Sequence, residues 1–585
     1  MTVSRSRPAR PRAAPIAEHR PVGTPLTQPH LRQRRLLIDT IALGAAGAIF
    51  AQLFNALLKG TTWLFLEKMA GYVAPGLPNE GGASDEIIGP HAFWLVPLAM
   101  VLGGLIVGVI TERLAPEAEG HGTDAVIKAF HRNDGRIRAR VPFVKLLASA
   151  ITIGSGGVAG REGPMALITG GLGSWYASFT KRDGRERRLL LLVGMSAGLS
   201  AIFRSPIGAA LLSVEILYAD MEFEPNALLY TTIGAIVAYA LNGMFVGFQP
   251  LFRVSSLVGQ LTKPVDYLWY LVLGVAAGLL ATVLPMVFYG ARDFFRSLPV
   301  PAWLRPAIGA LLAGAIVLAF PKVIGGGYGW MQQAIDGNIA LSVLSVLVVA
   351  KMVAMSFTVG SGGSGGVFAP TLFIGAMLGG ACAVIFHQPA APFAIVGMAA
   401  VFAGAAHVPI ATMMMVTEMT GGYTLLVPAT LAVVISYLVQ MRLSTRLTYR
   451  SVYEAQVTNR GDSPAHHEKH LEIALKILRD KGMRGGSDQG SDELLSILRS
   501  GAAVNLPGER RLAVGVLRAE SPFVGKTINE SAEQLDAEGI TVVSVIRGEH
   551  MLAPRPDLTF TKGDRLILVA KPGDLERAWT HMTRW

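Results

Sequence analysis

The segment Gly154-Ser155-Gly156-Gly157-Val158-Ala159-Gly160-Arg161-Glu162-Gly163-Pro164 sets two opposite charges among glycines and apolar residues. Glycines let a backbone approach a ligand closely, and a proline at the third position past Arg161 suits the first turn of a helix. The free N–H groups at a helix start, together with the positive end of its dipole, make an anion site. Glu162 opposes that site in sign. A carboxylate in an apolar membrane segment costs at least about 2.5 kcal/mol to insert, and such residues are functional candidates by default. One reading pairs it with Arg161 or a lipid headgroup. The other has the carboxylate occupy the anion site itself and leave on protonation, which turns protonation into a gate. The residues favour the second.

A second glycine run, Ser361-Gly362-Gly363-Ser364-Gly365-Gly366, stands in the later half of the chain. Glycine-interrupted apolar segments at corresponding positions of two halves point to a binding site between inverted repeats. The elements that must position these runs are apolar. Leu36–Leu58, Phe93–Ile110, Leu189–Phe203 and Leu228–Val246 make one half. Tyr267–Phe288, Ile308–Phe320, Leu341–Met355, Leu372–Phe386 and Leu425–Val439 make the other. Several fall short of the about 20 residues that cross a bilayer. Broken helices persist at membrane depth only where protein buries them or they line a wet cavity. The expectation is an all-α polytopic membrane protein, an inverted repeat of broken helices, and a transporter or channel rather than an anchor.

Composition points the same way. Only 16% of the residues are charged, against about 25% in soluble proteins, and 66 glycines suit close helix packing. The net charge of +11 is partly local: the first 35 residues hold eight arginines and one acid, Glu18. No aromatic residue lies there to stack on a base, so nucleic acid is not the expected partner. A disordered cytoplasmic tail obeying the positive-inside bias is. The apolar stretch that follows is long and has no signal-peptide cleavage site. The lone cysteine, Cys382, excludes an intrachain disulfide and argues against a thiolate metal site.

Other patterns carry less. Gly194-Met195-Ser196-Ala197-Gly198 spells a nucleophile elbow but has no strand before it and no His or Asp in a partner role. Thr358-Val359-Gly360-Ser361-Gly362 is similar to a potassium filter, which needs four copies around one axis. His466, His467 and His470 have helical spacing for a metal, with Glu468 alone nearby as a further ligand; a solvated linker explains them better. No Gly-x-x-x-x-Gly-Lys-Ser/Thr loop is present to bind ATP. No enzyme activity, cofactor or metal is expected.

Gly160-Arg161-Glu162-Gly163-Pro164 after a glycine run resembles the signature of the ClC family of chloride channels and chloride/proton exchangers. Gly120-His121-Gly122-Thr123-Asp124 stands where that family has its first anion-binding loop, Gly365-Gly366-Val367-Phe368-Ala369-Pro370 resembles its GxFxP segment, and Tyr453 aligns with its ion-contacting tyrosine, with Tyr449 one helical turn away. The resemblance spans about residues 36–457. It implies that Glu162 is the gate and that His121, Gly122, Arg161, Gly163, Val367, Phe368, Ala369 and Tyr453 bind the anion. It also implies a homodimer with a pore in each subunit, and Ser205-Pro206-Ile207-Gly208 opening a helix toward the partner or the pore.

Two positions depart from the family. His121 replaces a serine that contacts the central ion; histidine either donates to the anion, in a pH-dependent way, or turns aside and leaves the contact to backbone amides. Ile216 replaces the inner glutamate that passes protons in exchangers, directly after Glu215. Isoleucine carries no proton, which favours a passive, proton-gated chloride channel over a chloride/proton antiporter; a ligand-sensing receptor or scaffold is the reading from another class.

After Leu443 the composition turns polar. Residues 458–510 read as a linker with a helical pattern at Leu471–Leu478, and 511–585 as a small cytoplasmic α+β domain with strands Leu512–Leu517, Thr541–Ile546 and Arg565–Val569 and a helix near Pro572–Trp579. Ser521-Pro522-Phe523-Val524-Gly525-Lys526 and Thr561-Lys562-Gly563-Asp564 resemble the C-terminal lobe of RCK/TrkA regulatory domains, which implies dimerisation or a small-molecule ligand. The domains expected are thus a basic tail 1–35, a transport domain 36–457, a linker 458–510 and a regulatory domain 511–585. The partners expected are chloride or another small anion, protons and membrane lipid. The expected location is a bacterial or archaeal inner membrane, with both termini cytoplasmic.

Overall fold

A computed structural model describes residues 29–77, 86–88, 93–254, 264–460, 463, 465, 504–506, 510–547, 550–552, 554–579 and 582–584. The first half runs α1 (Pro29–Thr62), α2 (Val96–Leu114), α3 (Thr123–Arg132), α4 (Arg140–Gly154), α5 (Glu162–Phe179), α6 (Gly184–Phe203), α7 (Pro206–Glu215) and α8 (Pro225–Val246). The second runs α9 (Asp266–Ser297), α10 (Arg305–Ala319), α11 (Tyr328–Ile335), α12 (Leu341–Gly360), α13 (Phe368–Phe386), α14 (Ala390–Ala406), α15 (Pro409–Thr420) and α16 (Leu426–Ser444). Among the described residues, eight helices are long and apolar enough to cross a membrane. Helices α3, α7 and α15, at 1.5 Å per residue, reach only about half of a bilayer core, so they end inside the protein.

The halves repeat one another bond for bond. Lys145 on α4 donates to the carbonyls of Ala118 and Gly120 at 3.0 and 2.6 Å, and Lys351 on α12 to those of Val323 and Gly325 at 2.8 and 2.7 Å. Both lysines are fully buried. Helices α4 and α12 each stop in a turn whose glycine has left-handed φ, Gly156 at +104° and Gly362 at +106°. The Thr358 hydroxyl accepts from the Val158 N–H, and the Thr152 hydroxyl from the Ser364 N–H, each at 3.2 Å. Each half thus closes the loop of the other.

The short helices are capped reciprocally. Glu215, the last residue of α7, accepts from the N–H groups of Ile410 and Ala411 at the start of α15, at 3.1 and 2.6 Å. Glu418 on α15 accepts from the Ser205 hydroxyl and from the N–H groups of Ile207 and Gly208 at the start of α7, at 2.5, 3.2 and 2.9 Å. A carboxylate at a helix N-terminus satisfies orphan donors and complements the dipole.

Each apolar segment read from the sequence lies within a helix or its flanking turn, and the first seven residues of α1, 29–35, fall within the expected tail. Arg32 reaches Glu186 at 2.7 Å and Asp183 at 3.1 Å near the start of α6, so part of the supposed arm is paired helix. Strands β1 (Tyr72–Val73) and β2 (Ile87–Ile88) form a small antiparallel hairpin.

The C-terminal α+β unit holds β3 (Val504–Leu506), β4 (Arg510–Leu517), α17 (Ile528–Ala537), β5 (Thr541–Arg547), β6 (His550–Leu552), β7 (Arg565–Ala570), α18 (Pro572–Ala578) and β8 (Met582–Arg584). Its antiparallel sheet has order β3-β4-β7-β5-β6, with β8 on β4. Phe523, Val545, Phe560, Leu566 and Leu568 fill its core. The sheet begins inside the stretch expected to be linker, because Val504–Leu506 pairs with β4. Asp564, buried in the expected turn, accepts from the Thr561 N–H at 2.8 Å and from Arg547 at 2.8 Å, which holds Arg547 above its ordinary pKa. The helical pattern at Leu471–Leu478 and His466, His467 and His470 lie outside the described residues.

Glu418 serves three donors at once, and hydrogen bonds to a charged group are worth about 1.5–3 kcal/mol each. Glu418→Ala is expected to lower the thermal unfolding midpoint of the detergent-solubilised protein by several degrees. Glu418→Gln, which keeps one acceptor, should recover part of that loss.

Candidate functional site

Two glycine loops meet back to back at the centre of the helical domain. Gly160 and Gly366 exchange hydrogen bonds, N–H to carbonyl in both directions, at 2.7 and 2.6 Å. The bridge sets the N-terminus of α5 beside that of α13. Backbones come this close only without side chains: a Cβ on Gly163 would lie 2.2 Å from the His121 carbonyl oxygen, and one on Gly160 would lie 2.1 Å from Glu162 Oε2. The first N–H groups of a helix have no partner within it, so Gly163 on α5 and Val367, Phe368 and Ala369 around the start of α13 form one cradle of donors.

The Glu162 carboxylate sits in that cradle. One oxygen accepts from the Ala369 N–H at 3.4 Å, and the other accepts from the Tyr328 hydroxyl. Glu162 is 1% exposed. The Arg161 guanidinium lies over the Tyr328 ring, 4.9 Å from its centroid, and donates to Asn55 at 3.4 Å, and its charge acts on the adjoining Glu162 carboxylate. Phe368 packs on Phe203 and Phe402, ring centroids 4.6 and 4.1 Å apart, and this fixes the start of α13.

His121 and Gly122 precede α3, whose N-terminus approaches α5 from the other side; a Cβ on Gly122 would meet the Gly163 carbonyl oxygen at 3.0 Å. His121 is buried, with Tyr453 edge-on at 5.4 Å and Phe288 at 6.1 Å between ring centroids. The Thr123 side chain at the start of α3 lies beside the Tyr453 hydroxyl. Tyr449 instead stacks on Tyr289 at 4.1 Å and takes a bond from Arg292, so Tyr453 is the tyrosine that the fold brings to the loop. A cavity of about 530 Å³ runs alongside, lined by His121, Gly122, Lys128, Arg132, Arg292 and Arg296 among others. Glu117, Glu119, Asp124 and Glu454 line it as well, so its charge is mixed.

The chain as a whole has counterparts among known proteins. Residues 103–441 match the model of the voltage gated chloride channel family, and residues 516–578 that of the TrkA-C domain.

The chain belongs to the voltage gated chloride channel family.

It is 33% identical over 358 residues to the H(+)/Cl(-) exchange transporter ClcA of Salmonella agona and equally to that of Salmonella dublin, which covers 58% of this chain and 75% of each relative. Among solved structures, it shares the fold of a slow cyanobacterial Cl-/H+ antiporter, with TM-score 0.61 and 23% identity over 72% of this chain and 96% of that one. A CLC-type fluoride/proton antiporter is similar to the same degree, TM-score 0.61 and 20% identity over 74% and 100% of the two chains. The protein is therefore an integral membrane protein of an anion-transporting family, and not an enzyme.

Within the family fold, Ile216 is buried directly after α7, and its carbonyl accepts from Gln456 at 3.0 Å. The neighbouring Glu215 is committed to the start of α15. The elbow-like Ser196 lies inside α6, where its hydroxyl donates to the carbonyls of Val193 and Thr231. No group of three metal-ligating side chains occurs among the described residues. Sequence reasoning missed Tyr328. Its one signal was Gly325-Gly326-Gly327 before it, a third glycine run in the position that Gly120-His121-Gly122 holds in the first half.

The Tyr328 hydroxyl steadies the carboxylate against any anion competing for the same donors. Tyr328→Phe is expected to raise chloride affinity about tenfold, the equivalent of losing one bond to a charged group. Isothermal titration with chloride measures it, and unchanged affinity would leave Tyr328 a mere packing residue.

Proposed function

We propose that the protein exchanges chloride for protons across a membrane, and that Glu162 is the group through which the two are coupled. The observation that carries this reading is the Glu162 carboxylate lying against the Ala369 N–H in the donor cradle of α13. A charged carboxylate and a chloride ion compete for those donors. Protonation cancels the charge, the side chain leaves, and an anion takes its place; return of the carboxylate expels the anion and gives up the proton. The donors are preorganised by the Gly160–Gly366 bridge, so neither occupant has to rebuild the site.

Ile216 favoured a passive channel, because isoleucine passes no proton. The activity named for the Salmonella relatives favours exchange, and we follow it: protons then reach Glu162 without a titratable side chain at Ile216. The backbone donors of Gly163, Val367, Phe368 and Ala369, with His121, Gly122 and Tyr453, are proposed as the anion path. We further propose a homodimer in a bacterial inner membrane, with both termini and the TrkA-C-like domain in the cytoplasm. A small-molecule ligand of that domain would regulate transport only by binding two transport states unequally.

Purified protein in liposomes, under a chloride gradient with external chloride and pH followed together, tests this. Chloride running downhill is expected to drive protons uphill. Chloride that leaves protons behind would make the protein a channel. In Glu162→Gln, whose side chain cannot titrate, chloride flux should persist but no longer drive protons uphill; chloride that still drives protons uphill in this variant would remove Glu162 from its role.

A chain ended after Ala465 should retain chloride flux, since residues up to Ser463 are bonded into the helical domain: Ala219 and Asp220 donate to the carbonyls of Val457 and Thr458, and His131 meets Ser463 at 2.7 Å. Loss of flux in a folded, truncated protein would instead favour a receptor in which the C-terminal domain is the working part.

A further inference from the structure

We infer that His121 receives the anion only as an imidazolium, so that each anion bound at this position takes up one proton; this rests on the reading of the helix starts as an anion path. The ring nitrogen Nε2 lies 3.1 Å from Asp124 Oδ2. A carboxylate only accepts, so Nε2 carries the hydrogen. A neutral imidazole has a single N–H, and with that one kept on the nitrogen beside the Asp124 carboxylate the other nitrogen presents a lone pair. Nδ1 is buried and has no hydrogen-bond partner among the described residues, and His121 as a whole is 7% exposed at the wall of the mixed-charge cavity. A lone pair repels an anion. A solvent proton added to Nδ1 creates a second N–H, the anion accepts from it, and no other bond breaks; when the anion departs, the proton is free to leave.

Asp124 is held in place for this. Its Oδ1 accepts from the Ala455 N–H at 3.1 Å while Oδ2 faces the ring. The other charged or titratable groups around the loop are Lys128 and Arg132 on α3, Glu117 and Glu119 before it, Lys145 from α4, Glu162 from α5, Tyr289, Arg292 and Arg296 from α9, and Tyr453 and Glu454 after α16. Glu117 is paired with Arg138, and Glu454 with Arg292. Of all these, Asp124 alone contacts a ring nitrogen, so it sets the tautomer. A serine hydroxyl in the same place would donate in any protonation state; the histidine makes donation conditional on a proton, and it supplies a titratable group that Ile216 does not.

The test is titration calorimetry of sodium chloride into Glu162→Gln, where the gate no longer titrates, in two buffers of different ionisation heat at about pH 8, where an ordinary imidazole is neutral. The expected result is close to one proton taken up per chloride bound, with affinity falling about tenfold per pH unit. Adding His121→Ser should abolish the uptake and flatten the pH dependence while chloride still binds. Adding Asp124→Asn should do the same by another route: the amide carbonyl keeps the Ala455 N–H, its NH₂ donates to Nε2, and the neutral ring then turns its own N–H to the anion. Chloride binding to Glu162→Gln without proton uptake overturns the inference and leaves the anion path standing. Uptake that persists undiminished in the His121→Ser double variant assigns the proton to another group and also overturns it. If wild-type liposomes pass no chloride and Glu162→Gln binds none, the anion path itself falls, and this inference with it.

Discussion

The two hydrogen bonds between Gly160 and Gly366 fix how far apart the starts of α5 and α13 can be, and most of the site's chemistry depends on that spacing. Helix N-termini repel one another through their like dipole ends, so bringing two together inside a membrane domain requires a structural tie and a negative occupant. The tie is the antiparallel bridge, possible because neither loop carries a side chain at the crossing. The occupant is Glu162, folded back over Gly160 toward α13. A site built this way always contains negative charge, whether from the protein or from the solution. On the proposed mechanism, protonation decides which.

The internal repeat gives the domain its rigidity, and its exceptions give it direction. Lys145 and Lys351 hold equivalent carbonyls, and Gly122 and Gly327 share a left-handed φ, +85° and +81°. At the next positions the equivalence fails. His121 has glycine as its counterpart in Gly326, and Thr123 has Tyr328. Hence one loop offers a titratable ring to the cavity beside Tyr453, while the other offers a phenol that reaches Glu162. A perfectly symmetric pair of loops would treat an ion alike from both sides. On the readings proposed above, the substitutions make one side a place of entry conditional on charge and the other a support for the gate.

Much of this was legible in the residues, and the reasons differ from place to place. Glycine runs, a proline two residues past a lone carboxylate, and apolar segments of deficient length all report local constraints that a sequence states directly. Helices α4, α5 and α14 were harder, because Lys145, Gly163 and a run of alanines and glycines blur the apolar pattern; their burial on all sides removes the periodicity that would reveal them. The caps by Glu215 and Glu418 were invisible for another reason: each acts on a helix about two hundred residues away. The same holds for Tyr328, whose partner Glu162 lies across the repeat. Strand β3 escaped because Val504–Leu506 is short, and its pairing with β4 rather than its own composition makes it a strand.

Any influence of the C-terminal domain on transport has a defined mechanical path through the segment that follows α16. That segment carries Tyr453 to the His121 ring, gives its Gln456 amide to the carbonyls of Ile216, Tyr218 and Ala406, and pairs Val457 with Tyr218. Arg460 then binds Glu222 and Glu224. Because these bonds reach α7, α14 and the loop before α8 at once, a displacement beyond Ser463 is shared among several elements before it reaches Tyr453. Small shifts would therefore be absorbed, and only a change large enough to exchange one bonded arrangement for another would alter the anion path. That is the behaviour of a two-state coupling rather than a graded one.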